Sequence, residues 1–192
     1  MYARYLKRLT DITFSILLMA TFSILFVLII LLYLFSAETP VFFRQLRIGK
    51  NEKTFNLIKF RTLKATEGAI GQRRFWLGDL LRTLSLDELP QLINVLKGEM
   101  SLIGPRPLPV EYLPFFSETQ RLRHQVRPGI TGWAQVNGRH SISWEAKFDY
   151  DLHYIRNVTF WLDFRIFVKT IVLILSFKKD LSLLEEKFKG QA

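Results

Sequence analysis

The sequence predicts an α+β fold that is mostly helical, with an N-terminal re-entrant membrane helical hairpin, one small β-hairpin and amphipathic helices lying at a membrane interface. Three observations carry that expectation. Residues 12–35 hold no charged side chain, yet basic residues flank the run on both sides. Two short β-rich runs, 41–45 and 54–61, are joined by Gly49-Lys50-Asn51-Glu52, a turn composition. Much of the remainder places apolar residues at helical spacing, and it ends, at 160–177, in an aromatic-rich stretch punctuated by Asp163, Arg165 and Lys169.

At 192 residues the chain has the size of one domain with appendages, enough for a sizeable core. A hydrophobic content of 49% and a mean hydropathy of +0.14 are high for a soluble chain and low for a polytopic one. The absence of cysteine excludes disulfides, a thiolate nucleophile and a Cys-ligated metal, and fits a reducing compartment. A net charge of +10 and a pI near 10.0 call for an anionic partner: nucleic acid, an anionic lipid surface or a phosphorylated substrate.

The apolar run at 12–35 is long enough to cross a bilayer, for which about 20 residues suffice, and too long for the core of a cleavable signal peptide. Arg4, Lys7 and Arg8 precede it and Arg44, Arg47 and Lys50 follow, so the positive-inside bias draws both ends to the cytoplasm. A hairpin that enters and leaves by one face satisfies both ends; a single transmembrane helix is the alternative. The bend is expected to use the Thr21 and Ser23 hydroxyls, bonded back to the preceding turn. Asp11, four residues after Lys7, is expected to pair with it and is a poor catalytic candidate.

Alternation in the second strand puts Lys59 and Arg61 on one face, either a solvated face or a pair of cations for a phosphate. Residues 64–74, polar with Gly68 and Gly71, read as a flexible loop, and 75–83 as a short amphipathic helix.

Then come two adjacent acids, Asp87 and Glu88, in a basic chain. Leu86, Leu89, Leu92, Ile93 and Leu96 recur at helical spacing, so 87–97 is predicted helical, with Gly98 as its stop. Ser85-x-x-Glu88 matches a capping box, a reading in which neither carboxylate needs a function. Pro90 weighs against it: with Ser85 as N-cap, the proline falls where it removes a donor and clashes. With Asp87 as N-cap it sits among first-turn positions and costs little. Spacing alone leaves structure and chemistry equally open.

Gly104-Pro105-Arg106-Pro107 is too rigid for a helix or central strand and presents Arg106 in a fixed loop, which suits bidentate phosphate recognition. Residues 115–124 read as a helix. Between Arg127 and Arg139, the glycines at 129, 132 and 138 allow the backbone to approach a ligand closely. A surface ion pair is the plain reading for any one of these arginines. Residues 149–157 look helical. His124, His140 and His153 lack ligand spacing, and neither a His-Glu-x-x-His nor a phosphate-loop lysine motif is present. The charge-free part of 160–177 is too short to span, so it reads as an interfacial helix, with a buried core helix as the alternative. The tail from Lys178 is expected to be loosely held.

The blocks Ser85-Leu86-Asp87-Glu88-Leu89-Pro90-Gln91, Gly98-Glu99-Met100-Ser101-Leu102-Ile103-Gly104-Pro105-Arg106-Pro107 and Arg127-Pro128-Gly129-Ile130-Thr131-Gly132-Trp133-Ala134-Gln135-Val136-Asn137-Gly138-Arg139 resemble the signature of one family. It is the bacterial sugar transferases, the monotopic polyprenyl-phosphate glycosyl-1-phosphate transferases. The resemblance runs from Tyr2 to about Phe188, takes in Lys59-Phe60-Arg61-Thr62 and the Lys7-Arg8…Asp11 start, and is nearest in length to the small forms. One position departs from it. The family usually breaks its hairpin at a Ser-Pro pair, and here Ile24 follows Ser23.

The resemblance implies transfer of a sugar-1-phosphate from a UDP-sugar to a membrane polyprenyl phosphate with release of UMP, the first membrane step of bacterial glycoconjugate assembly. Asp87 would be the nucleophile, forming an aspartyl-phosphosugar intermediate that the lipid phosphate resolves. Glu88 would hold Mg2+, and Lys59, Arg106, Arg127 and Arg139 would surround the diphosphate. Residues 1–37 would form the membrane-embedded hairpin, 38–158 a cytoplasmic catalytic domain and 159–192 the interfacial helix and tail, all on the bacterial inner membrane. Membrane lipids are then partners and nucleic acid is not, while a homo-oligomer is left open. Two rival classes stand beside this one. A nucleic-acid-binding protein would explain the charge but not the apolar run or the paired acids. A non-catalytic membrane adaptor would leave the rigid arginine loops without a purpose.

Overall fold

Helix α1 (Lys7–Thr21) passes through Phe22 into α2 (Ser23–Phe35) with a bend of 59°. The computed structural model describes residues 2–36, 40–138, 141–176, 188 and 190. Among these, no single helix is long and apolar enough to cross a membrane, although the bent pair together meets that test of length and composition. At the bend the Ser23 hydroxyl donates to the Ala20 carbonyl at 2.8 Å, as expected of a break made without proline.

Both arms of the bent pair dock on the rest of the chain. At the start of α1, Asp11 is buried and accepts from Ser101 Oγ at 2.9 Å and the Leu102 amide at 3.1 Å. The expected Lys7–Asp11 pair does not form. Lys7 Nζ lies 2.6 Å from Asp163 instead, because the fold brings that buried carboxylate against the root of α1 while Asp11 is taken by main-chain and hydroxyl donors. In α2, Ile29 and Tyr33 are buried against Phe60, Phe75, Leu77 and Leu81, and the Tyr33 hydroxyl donates to the Arg61 carbonyl.

Strands β1 (Phe42–Ile48) and β2 (Thr54–Phe60) form the predicted antiparallel hairpin, in register from Phe42↔Phe60 to Ile48↔Thr54. The first strand runs beyond residue 45 because its ladder continues to the turn, where Asn51 and Glu52 take left-handed angles (φ 53° and 60°). The 64–74 loop closes through the Lys64 amide, 2.7 Å from the Arg73 carbonyl. Helix α3 (Trp76–Thr83) follows where the amphipathic spacing put it.

Helix α4 (Gln91–Lys97) starts later than expected, with Pro90 as its N-cap and Gly98 (φ 86°) as its C-cap. Neither Asp87 nor Ser85 caps it. Next, β3 (Ser101–Ile103) pairs in parallel with β4 (Gly129–Thr131), a ribbon too short to leave a periodic signal. The single helix expected at 115–124 is divided: 3-10 turns at Val110–Phe115 and Leu122–Gln125 flank α5 (Glu118–Arg121), which opens on a Ser117–Gln120 capping box. Helix α6 (Trp133–Val136) is short, and α7 (Trp144–Arg156) begins earlier than 149 because Ser143 caps it.

The last helix, α8 (Phe160–Leu175), is capped by Thr159. Its charges are not all on a wet face, since Asp163 is only 4% exposed and accepts from Lys7, Tyr2 and Tyr154. Trp161, Phe164, Phe167, Val172 and Leu175 remain exposed. In the tail, Phe188 is not loosely held: it is buried in a cluster with Ile48, Leu108, Phe116 and Phe148. The rest of 177–192, Gly190 apart, lies outside the described residues.

Candidate active site

The acid pair stands on a sharp turn. After α3 the chain reverses at Ser85, whose backbone is left-handed (φ 56°, ψ 20°), and enters a 3-10 turn at Leu86–Glu88. A serine held there costs roughly 1–2 kcal/mol, so packing must impose it. Leu86 and Leu89 supply that packing against the cluster of Ile29, Tyr33, Phe60 and Leu81. With its neighbouring leucines facing the core, Asp87 is itself buried, at 6% exposure.

The end of β2 delivers the facing cation. Phe60 is fully buried and anchors the strand, and Lys59 beside it places Nζ 3.8 Å from Asp87 Oδ2. Burial pushes the Lys59 ammonium below its usual range, while the Asp87 and Glu88 carboxylates pull it back. Lys59 and Arg61 flank the Phe43 ring, each 5.7 Å from its centroid, consistent with the shared face read from alternation. Arg61 then turns away, its Nε donating to the Pro40 carbonyl at 3.0 Å.

Opposite, the Pro-Arg-Pro loop brings Arg106 Nη2 to 3.2 Å from Glu88 Oε1. Arg47, Leu57, Lys59, Glu88, Gln91, Arg106 and Pro107 line a small cleft open to solvent. Asp87 is not in that lining; its carboxylate faces Lys59 from a buried position. The arrangement can hold a polyanion beside two carboxylates, because three cations offset the acids at one mouth.

The structure therefore brings together Lys59, Asp87, Glu88 and Arg106. Arg127 goes elsewhere. Its Nε donates to the Gly98 carbonyl at 2.8 Å, next to Arg8, which donates to the Val95 and Leu96 carbonyls at 2.7 and 3.0 Å. The two arginines donate to carbonyls at the end of α4 and complement its dipole. Arg139 and His140 lie outside the described residues. The glycines of this segment serve backbone packing: a Cβ on Gly129 or Gly132 would stand 2.1 Å from main-chain atoms of Gly104, so they let the two loops touch. Of the other histidines, His124 lies 3.4 Å from Glu52 and His153 stacks on Trp133.

Arg47 and Gln91 were not singled out by sequence reasoning. Arg47 looked like one more flanking charge, but its Nη1 donates to the Pro107 carbonyl at 2.9 Å and its buried Nε has no partner among the described residues. Its pKa falls to about 10, chiefly through burial and then through Arg106. The signal available in the sequence was register, since Arg47 pairs with Phe55 two positions along from Gln45↔Leu57 and so shares its face.

A model of the bacterial sugar transferases matches residues 2–177. The chain is 47% identical over 176 residues to a Bacillus subtilis protein named as the uncharacterized sugar transferase EpsL, covering 88% of this chain and 87% of that one. It is 40% identical over 184 residues to the UDP-glucose:undecaprenyl-phosphate glucose-1-phosphate transferase of Escherichia coli, covering 88% of this chain and 40% of that one. It is also 38% identical over 191 residues to the UDP-N-acetylgalactosamine-undecaprenyl-phosphate N-acetylgalactosaminephosphotransferase of Aeromonas hydrophila, covering 90% of this chain and 44% of that one.

Proposed function

The chain belongs to the bacterial sugar transferase family and is a transferase, and from that premise we propose that it moves a sugar-1-phosphate from a UDP-sugar to undecaprenyl phosphate. The observation that carries the reading is the buried Asp87 facing Lys59, directly behind the cleft wall where Glu88 meets Arg106. An Asp87 oxygen attacks the sugar-bearing phosphorus, the bond to the uridine-bearing phosphate breaks, and UMP leaves with that electron pair. An oxygen of the lipid phosphate then attacks the same phosphorus and frees the Asp87 carboxylate, giving polyprenyl-diphosphate-sugar. A carboxylate suits both steps, being ionised at neutral pH and a good leaving group from phosphorus. Lys59 and Arg106 bind the diphosphate and neutralise the charge that would repel an anionic nucleophile.

Mg2+ fits this donor set. Among the described residues there is no group of three or more His, Cys, Asp or Glu that would cage a metal. Magnesium is instead usually held by one or two carboxylates plus substrate phosphates, and Glu88, in the cleft wall with Asp87 adjoining, offers that. When bound, the ion supplies charge neutralisation at the diphosphate.

The decisive experiment measures UMP release by the protein in lipid nanodiscs from UDP-glucose, UDP-galactose and their N-acetylated amino forms, with and without undecaprenyl phosphate. Multiple turnovers are expected only with acceptor and with magnesium. No UMP from any donor, or full turnover in EDTA, counts against the reaction or the metal respectively. Arg106→Lys keeps the charge but loses the planar fork, so kcat/KM should fall by about 1–3 kcal/mol in transition-state terms. Wild-type kinetics for that variant would put Arg106 outside the phosphate site.

For its placement, the proposal is a re-entrant hairpin on the cytoplasmic face of the inner membrane. Supporting it, Asp11 at one end of the bent pair and Tyr33 at the other are both buried against the same body, while Phe14, Leu17, Ile24, Val27 and Leu31 are exposed between them. The chain contains no cysteine, so single cysteines at Ala3 and Glu67 can be probed in intact cells with a membrane-impermeant thiol reagent. Both should stay shielded until lysis. Labelling of only one from outside would establish a spanning helix instead.

A further inference from the structure

Arg123 has no role in the reaction just described, yet it is built into the loop that carries Arg106. Arg123 and Asp151 side chains are each only 4% exposed, with Nε and Nη2 of the arginine 3.0 and 2.6 Å from Asp151 Oδ2. The same Nη2 donates to the Arg106 carbonyl at 2.9 Å. The rings of Phe116 and Phe148 lie 5.8 and 5.6 Å from the guanidinium carbon. Phe188 closes this cage from the C-terminal tail, its ring 5.5 Å from Phe116 and 5.1 Å from Phe148.

Stability alone is a weak reason for such a pair, because apolar residues of similar volume often replace a buried ion pair at little cost. What apolar residues cannot do is donate to a carbonyl. Pro105 and Pro107 fix their own φ angles, and Pro107 confines Arg106 to extended backbone, but within that broad well the tilt of the Arg106 carbonyl is still to be set. The bond from Arg123 fixes the plane of the 106–107 peptide, and Arg47 fixes the next carbonyl, that of Pro107. Together they set the direction in which the Arg106 side chain leaves the loop toward Glu88.

We propose that Arg123 is a positioning residue that aligns Arg106 for the donor diphosphate, and that Phe188 holds Arg123 in place. The inference rests on the reading that Arg106 binds that diphosphate. The test is UDP binding, in magnesium, to the full chain in nanodiscs by titration calorimetry. Arg123→Lys retains a charge for Asp151 but cannot reach both acceptors, and Phe188→Ala opens the cage; each should weaken UDP binding roughly tenfold, whereas Phe188→Leu, which refills the space, should restore most of it. In an Arg106→Ala background the same two changes should produce little further loss. Losses that persist undiminished in that background, or wild-type affinity for Arg123→Lys, overturn the inference. If circular dichroism shows Arg123→Lys to be unfolded, the Phe188 pair decides by the same criterion. Wild-type affinity for Arg106→Ala is a separate result that removes the phosphate-site reading on which this one stands.

Discussion

Asp87→Asn protein is expected to keep its fold and lose turnover by at least about a thousandfold, roughly 4 kcal/mol of barrier. The carboxamide matches the carboxylate in shape, so the packing of Leu86 and Leu89 that holds the turn is undisturbed. It is not a nucleophile toward phosphorus, and it withdraws the charge facing Lys59 at 3.8 Å. Intact-mass measurement gives the positive counterpart: wild-type protein mixed with UDP-sugar and no lipid acceptor should gain the mass of one phosphosugar. That adduct should disappear on adding undecaprenyl phosphate and should not form on Asp87→Asn. An active Asp87→Asn enzyme would exclude covalent catalysis by this residue. Glu88→Gln is the internal comparison, because the loss of one charge at the cleft should raise the magnesium requirement while leaving some turnover.

How far the site could be read from the sequence depended on whether each residue's role is local. The β-hairpin was legible because alternation and Gly49–Glu52 act within a few residues, and Gly98 stops α4 for an equally local reason. The acid pair was visible as two charges of the wrong sign beside Pro90. Its backbone was not: the left-handed Ser85 is held by leucines packing on neighbouring α3 and on α2, some fifty residues earlier in the chain, and the α2 contacts leave no local pattern. Arg106 was legible because prolines on both sides fix its loop, whereas Arg127 looked equivalent and is spent on the Gly98 carbonyl. Nothing in the local pattern separates a guanidinium aimed at a ligand from one capping a helix. Arg47 and Arg123 were passed over for the converse reason. Each reads as a routine surface charge until long-range packing buries it against a loop carbonyl.

Asp163→Ala is expected to be the most destabilising of the single changes considered, at about 3–5 kcal/mol, because it leaves a buried charge uncompensated. Asp163 is 4% exposed and receives three donors: Lys7 Nζ and the Tyr2 hydroxyl at 2.6 Å on one oxygen, and the Tyr154 hydroxyl at 2.8 Å on the other. Removing the carboxylate leaves the Lys7 ammonium, with its side chain only 12% exposed, without its counter-charge, and takes an acceptor from both phenols. For a chain of this size each kcal/mol moves the melting temperature by roughly 2–4 °C, so a fall on the order of 10 °C is expected in nanodiscs. Asp163→Asn, which retains an acceptor and the shape, should fall less. The loss should also reach the active site, because the same helix root carries Arg8 to the end of α4 and Asp11 to β3. Combining Lys7→Met with Asp163→Leu removes both charges and should recover much of the stability, since the cost lies in the unpaired ion. A melting temperature for Asp163→Ala within a degree or two of wild type would mean that α1 is held to α8 by apolar packing, with the buried network contributing little.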